Sequence, residues 1–396
     1  MKKVSAGNAG PKVRSDCQII LEPAQRGGIA FDLKSKVKSL YGESIKDLCR
    51  QMLHFYGIKN AKVDINDSGA LPFVIMARLE AAVRSMTGTE SEYLPEMLKE
   101  NLYKTSAGRT RFSRLYLPGN NPGLMINAGL HQAHGIILDL EDSVAPDRKE
   151  EARILVRNAL RQIDFRGAER MVRINQGETG FSDLESVIPQ NVNLILIPKC
   201  ETAENVREVE GRITSILKRN KIRNEVFLMP IVESARGVAN CYEIAMASES
   251  VVAIAVGLED LTADLGIQRT PEGTETLFAR SQIVIAAKAA GIQPIDSVYS
   301  DVADIEGLTQ NVIKSKNLGF EGMGCIHPRQ IRVINNGYAP TEQDIEKARK
   351  IVAAYEEAVK NGTGVVAVGS KMIDAPVVKR ALKTIELARK MVPGKQ

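Results

Sequence analysis

Two carboxylates open the functional reading of this chain. Glu233 closes the apolar run "VFLMPIVE", and Asp260 closes "VVAIAVGLED". Each follows a nearly uninterrupted apolar strand, and the two strands are consecutive. Like charges at neighbouring strand ends repel unless a cation lies between them. Oxygen ligands select a hard cation, and magnesium typically takes one or two carboxylates with water and substrate oxygens. The histidines at 54, 131, 134 and 327 and the cysteines at 17, 49, 200, 241 and 325 form no ligand cluster, which disfavours zinc or iron. Other charged residues fall at equivalent places: Asp139, Glu141, Asp142, Arg173, Lys199 and Glu259, with Asp296 and His327 nearby. Arg173 offers a planar, permanently charged fork for a substrate carboxylate; the alternative is a salt bridge to Glu141 or Asp142. For His327, capping suits as well as catalysis. No Ser-His-Asp spacing and no G-x-S-x-G occurs, and the G-x-G at 362–364 has no helix immediately behind it.

These residues need a scaffold that sets them at one end of many strands. From Arg109 onward, short apolar β-branched runs alternate with helical stretches. The runs are "RLYLPG" at 114–119, "GIILDLED" at 135–142, "RMVRIN" at 170–175, "LILIPK" at 194–199, 226–233, 251–260, "IQPIDSVYS" at 292–300 and "GMGCIHP" at 322–328. Runs apolar throughout mark strands buried on both faces. Eight of them with intervening helices predict an α/β fold, a (β/α)8 TIM barrel over residues 109–340. A doubly wound open sheet is the rival, and "LPGNNPG" resembles its glycine-rich turn only faintly. Active-site groups of such a barrel sit at the C-terminal strand ends. Residues 341–396 continue past the barrel as a threonine-capped helix, a glycine-bearing stretch and a last helix, predicting a lid or a subunit contact. Before the barrel, residues 1–85 read as a small α+β domain. Its strands are placed at 17–23, 29–33 and 61–65 and its helix at 43–55, and "ALPFVIMARLEAAVRS" has helical spacing. Residues 86–108 read as a tether.

Composition narrows the class. The chain has 396 residues, 44% hydrophobic and 26% charged, with a net charge of +5 and no long single-sign block. That excludes a nucleic-acid footprint and suits anionic small substrates. An odd number of cysteines with no C-x-x-C pair argues for a reducing compartment. No apolar run long enough to span a membrane exists, and no apolar run follows the two lysines at the start. A soluble cytoplasmic protein is expected.

Combined motifs then resemble a known family. "RLYLPGNNP", "ILDLEDSVAPDRKEEAR", "VRIN", "IPKCETAENV", "IVESARG", "VGLEDLTADLG", "RTPEGTETLFARSQIVIAAKAAGIQPIDSVYSD" and "IHPRQI" are similar to the citrate lyase β-subunit family. More broadly they resemble the citryl, malyl and citramalyl thioester lyases. "SDCQIILEP" and "DSGALPFVIMARLEAAVR" resemble the small acyl-carrier γ subunit of citrate lyase.

The resemblance implies that Glu233 and Asp260 hold magnesium, that Glu233 and Arg173 bind substrate, and that Arg173 is also catalytic, offsetting the negative charge that develops. It implies that Pro118, Gly119 and Asn120 wall the thioester arm. It also implies that Asp374, in "KMIDAP", enters a neighbouring subunit's site as a catalytic acid within a homotrimer. In the carrier family a serine bears a phosphoribosyl-dephospho-coenzyme A arm. That position falls on Arg14 here, so either Ser15 has taken over attachment or the domain is unloaded and structural. Phe112 replaces an arginine found in many relatives, for which Arg111 or Arg114 could substitute. The expected activity is magnesium-dependent carbon–carbon cleavage of a citryl thioester, carrier-bound or of coenzyme A, to oxaloacetate and an acetyl thioester, with a citrate lyase α-type transferase as partner. Alternatives are citramalyl- or malyl-coenzyme A cleavage, a non-catalytic carrier scaffold, and a metal-dependent aldolase.

Overall fold

The computed structural model describes residues 2–270, 272–362, 365–368 and 371–391. Four strands, β1 (Val4–Gly7), β2 (Cys17–Pro23), β3 (Ile29–Ser35) and β4 (Ala61–Asp67), form a sheet in the order β1-β2-β4-β3. β3 runs parallel to β4, so the chain must cross over between them, and helix α1 (Lys38–Phe55) provides the crossover. Cys17, Ile19 and Leu21 on β2 and Ala61, Val63 and Ile65 on β4 point into one core at the two-residue period of a half-buried strand. Helix α2 (Pro72–Thr87) starts on a proline and stops at Gly88, whose φ of 71° is the left-handed conformation that ends helices.

Among the described residues, eight parallel strands follow: β5 (Ser113–Pro118), β6 (Gly135–Asp139), β7 (Glu169–Arg173), β8 (Leu194–Ile197), β9 (Phe227–Val232), β10 (Ala253–Val256), β11 (Gln293–Ile295) and β12 (Met323–Cys325). β12 returns to pair with β5, and a bridge between Asp296 and Met323 joins β11 to β12, so the sheet curls into a nearly closed barrel. Ile137, Met171, Leu194, Leu196, Met229, Ile231, Ala253, Ala255 and Ile295 fill its interior. The outward-facing residues of the same strands pack under the helices, which is why the runs carry no polar alternation. The TIM-barrel expectation holds. Several strands are shorter than their apolar runs: β10 ends at Val256, and Leu258–Asp264 is already a helix.

The small sheet does not hang on a free tether. Every residue of α2 from Phe73 to Val83 is buried, because one side packs on the small sheet and the other on helix α4 (Lys149–Gln162), which follows β6 and the one-turn helix α3 (Pro122–Met125). Arg157 on α4 and Glu80 on α2, both fully buried, form a two-point ion pair at 2.7 and 2.8 Å. Asn158 donates to the Phe73 carbonyl at 3.1 Å, and Glu151 accepts from the Gly7 amide at 2.9 Å. Arg78, also buried, holds Asp16 at 2.9 Å and donates to the Asn120 carbonyl at 3.0 Å. The stretch between α2 and β5 is fastened as well. Arg161 donates to the Pro95 carbonyl, Gln162 to the Glu96 carbonyl, and Asn101 to the Ile163 carbonyl.

After β12 come helices Pro328–Tyr338 and Glu342–Lys360, the latter capped by Thr341 and Asp344. The antiparallel pair β13 (Val366–Val368) and β14 (Lys371–Ile373) leads to the last helix, Ala375–Lys390. That helix packs on Glu342–Lys360, and Lys383 reaches Glu321, which lies just before β12. It therefore sits toward the N-terminal end of the barrel. Gly362 is described; Gly364 and Gly369, expected in the lid, lie outside the described residues.

Candidate active site

Strand ends assemble the site. Asp139 closes β6 and accepts the amides of Glu141 and Ser143, so the following loop curls around its carboxylate. Arg173 closes the neighbouring β7 and meets Asp139 at two points, Nε to Oδ1 at 2.6 Å and Nη2 to Oδ2 at 2.7 Å. Its Nη1 faces Glu141 at 3.0 Å and Asp142 at 3.5 Å. Burial opposes the guanidinium charge, but the Asp139 carboxylate outweighs it and raises the Arg173 pKa. The structure shows the salt-bridge alternative for Arg173: the residue stands at the mouth, with Glu141 and Asp142 as its neighbours.

Lys199, past the end of β8, binds Glu141 at 2.9 Å and Asp142 at 3.3 Å. Its φ of 47° lies in the left-handed region, where a non-glycine residue is strained. That turn aims the Lys199 amide at Glu233 Oε1, 2.8 Å away. Glu233 follows β9 and is buried. Beside it Gly257 follows β10; a Cβ there would lie 2.3 Å from Glu233 Oε2, so only glycine leaves the carboxylate its room. Gly257 also starts the helix Leu258–Asp264, whose first turn brings Asp260 to Glu233. Burial pushes the Glu233 carboxyl up to about 8; the Lys199 amide works against this and the nearby Asp260 adds to it. Two carboxylates that share a pocket at the expense of a proton, with hard oxygens and no soft donors, fit a divalent hard cation. Among the described residues they form a pair rather than a set of three ligands.

The loop after β5 walls one side. Gly119 approaches so closely that a Cβ would lie 2.5 Å from the Asp139 carbonyl, which accepts the Gly119 amide at 2.7 Å. Asn120 receives Arg78 from the small domain, and a Cβ on Gly123 would lie 3.0 Å from the Arg14 carbonyl. Pro118, Gly119 and Asn120 thus join the mouth to the segment that bears Ser15. Ser15 has a φ of 54° and donates its amide to the Ser68 carbonyl. Asp374 is elsewhere. It caps the last helix by accepting the Val377 amide at 3.2 Å, and Ile373 and Val377 border a cavity with Lys316, Tyr338 and Pro340, below the barrel. Its own chain does not bring it to the mouth.

His327 caps the helix Pro328–Tyr338 through its ring nitrogen, the capping alternative above. Asp296 is tied to Arg280 and Ser315. Arg111 pairs with Glu169 at the start of β7, away from the mouth. Two contributors escaped the sequence reading. Gly257 looked like any residue of an apolar run. Tyr116 sat within "RLYLPG", yet its ring lies under the Arg173 guanidinium at 5.5 Å. Burial raises the pKa of its phenol.

Residues 113–328 match the model of the HpcH/HpaI aldolase/citrate lyase family, and residues 2–86 match an acyl-carrier model described as the malonate decarboxylase delta subunit. The citrate lyase beta subunit of Escherichia coli K12 is 42% identical over 276 residues, 69% of this chain and 91% of that protein. The human mitochondrial citramalyl-CoA lyase is 33% identical over 286 residues, 69% of this chain and 84% of that protein. Among solved structures, protein CitE of Mycobacterium tuberculosis, in complex with magnesium, acetoacetate and coenzyme A, is 30% identical with a TM-score of 0.59, covering 72% of this chain and 100% of that one.

Proposed function

This chain belongs to the HpcH/HpaI aldolase/citrate lyase family and is a carbon–carbon lyase, and on that premise we propose that it cleaves a citryl thioester to oxaloacetate and an acetyl thioester, with Glu233 and Asp260 holding magnesium. The pairing of a buried Glu233, pushed up to about 8, with Asp260 carries the reading. The mycobacterial relative in complex with magnesium and coenzyme A supports it. Glu233 and Asp260 would hold magnesium there, and the ion would supply Lewis-acid chemistry. Arg173, oriented by Asp139, presents its Nη1 edge to a substrate carboxylate in place of Glu141. Lys199 and Arg173 offset the negative charge that grows on the acetyl fragment as the carbon–carbon bond breaks. A thioester is needed because its α-carbanion is far better stabilised than that of a free carboxylate. The substrate hydroxyl gives up its proton to solvent as it becomes the oxo group, and Asp374 of a neighbouring subunit, in a homotrimer, donates the proton that quenches the enolate, so the reaction is proton-neutral. Pro118, Gly119 and Asn120 wall the arm.

Within the same proposal, residues 1–85 form the carrier-like domain, 86–108 the linker, 109–340 the lyase barrel and 341–396 the C-terminal helical extension and lid. Ser15 is the attachment point if an arm is carried, and an α-type transferase then loads it. A diffusible coenzyme A thioester, citryl or citramalyl, is the second reading, favoured by the ion pairs that fasten the small domain to the barrel. Buried cysteines without disulfides suit the cytoplasm, and among the described residues no helix is long and apolar enough to cross a membrane.

Substitution tests the assignment. Asp260→Asn is expected to abolish magnesium-dependent cleavage while thermal unfolding stays cooperative. Wild-type turnover by that variant after chelator treatment would remove the metal assignment.

A further inference from the structure

The barrel interior holds an arginine that nothing in the lyase chemistry above uses. Five arginine side chains of this protein are almost completely buried: Arg78, Arg111, Arg114, Arg157 and Arg170. Arg78, Arg111 and Arg157 each face a carboxylate. Arg170 donates to the carbonyls of Asn191 and Tyr103 and stacks on the Tyr103 ring. Arg114, on β5, is different. It reaches across the barrel to β9, where Nη1 meets the Met229 thioether at 2.8 Å, and its buried Nε has no hydrogen-bond partner. Among the described residues no carboxylate lies within ion-pair distance of it. Gly135 makes the room: a Cβ there would lie 3.3 Å from Arg114 Cγ and 2.5 Å from Met171 Cε.

A cation buried against a thioether is among the least favourable arrangements a core can hold. Its position suggests why it is kept. Tyr116 follows two residues later on the same strand and so points the same way, toward the mouth. Its ring is gripped between the Arg173 guanidinium and β12, where a Cβ on Gly324 would lie 3.1 Å from Tyr116 Cε2. Among the described residues the Tyr116 hydroxyl has no hydrogen-bond partner. A rigid phenol with a free hydroxyl thus stands between an uncompensated cation below and the Arg173–Glu233 site above.

We infer that Tyr116 and Arg114 form an anion-receiving floor that selects substrates whose oxo-acid half carries a second carboxylate. The Tyr116 hydroxyl donates the hydrogen bond, and Arg114 supplies the charge beneath it. This rests on the lyase reading and deepens it: it chooses the citryl thioester, whose side group is a carboxymethyl, over the citramalyl thioester, whose side group is a methyl. A site built around a polar partner rejects an analogue lacking that partner, because its own buried groups are then left unpaired.

Calorimetric binding of oxaloacetate and of pyruvate to the magnesium-loaded protein tests the inference without relying on turnover. Wild type is expected to bind oxaloacetate the more tightly. Tyr116→Phe is expected to weaken oxaloacetate by about tenfold while leaving pyruvate nearly unchanged. Arg114→Met is expected to lose the preference and to raise the melting temperature, since it removes an unpaired buried charge; a purely structural arginine would lower it. Equal binding of the two acids by wild type, or equal weakening of both in Tyr116→Phe, would overturn the inference. Failure of wild type to cleave any acyl thioester would instead remove the lyase reading, and the binding comparison would still decide the floor.

Discussion

Glu233 gives the site its pH signature. In the metal-free protein its carboxyl is pushed up from 4.5 to about 8, chiefly by burial. Between those values the folded protein keeps a proton that the unfolded chain has released, so stability falls as pH rises through that window. Melting temperatures in chelator should therefore decline from about pH 5 to pH 8, and Glu233→Gln should flatten the decline. A profile of identical slope in that variant would show that another group is responsible. Saturating magnesium should flatten the profile too, because the cation favours the ionised carboxyl. At this scale the charged residues were legible in the sequence: a carboxylate that ends an apolar run leaves the barrel wall at the mouth, just past a strand for Glu233 and in the first turn of the following helix for Asp260. Tyr116 was not, because an inward side chain and an outward one look alike in a run buried on both faces, and Arg114 was visible only as a replacement for the arginine that Phe112 displaces.

A strand end becomes a site only through the turn that follows it. The left-handed turn at Lys199 delivers an amide to Glu233, and Gly257 delivers Asp260 while leaving Glu233 its space. Gly257→Ala should displace the Glu233 carboxylate and lower kcat by at least about 100-fold, with the circular dichroism spectrum unchanged. Turnover near wild type would mean that the pocket relaxes around the methyl group. The barrel order was legible because eight apolar runs recur at regular intervals. The element boundaries were less so: "VVAIAVGLED" hides a strand and the first turn of a helix in one apolar stretch. β1 was overlooked because four residues give too little periodicity to detect. Asp374 was visible as an acid before a proline, but its place below the barrel depends on the path of the last two helices.

Over the whole molecule, the feature that stands out is the contact between α2 and α4. Arg157 and Glu80 are fully buried and reachable only by each other and their immediate neighbours. Arg157→Met should leave the buried Glu80 charge to Arg84 alone and destabilise the protein by about 3–5 kcal/mol. Adding Glu80→Met should restore much of that. Both halves of the chain should unfold in a single calorimetric transition. Two separate transitions in the wild type would show that the small domain folds and detaches by itself. Carrier domains ordinarily work by travel: cargo is picked up at one station and set down at another, and each departure must be easy. Here departure would strip α2 of its cover and leave charges without partners. Traffic must then run the other way. On the carrier reading proposed above, whatever loads the small domain would have to come to a stationary target, and the rate of supply would be set by that encounter.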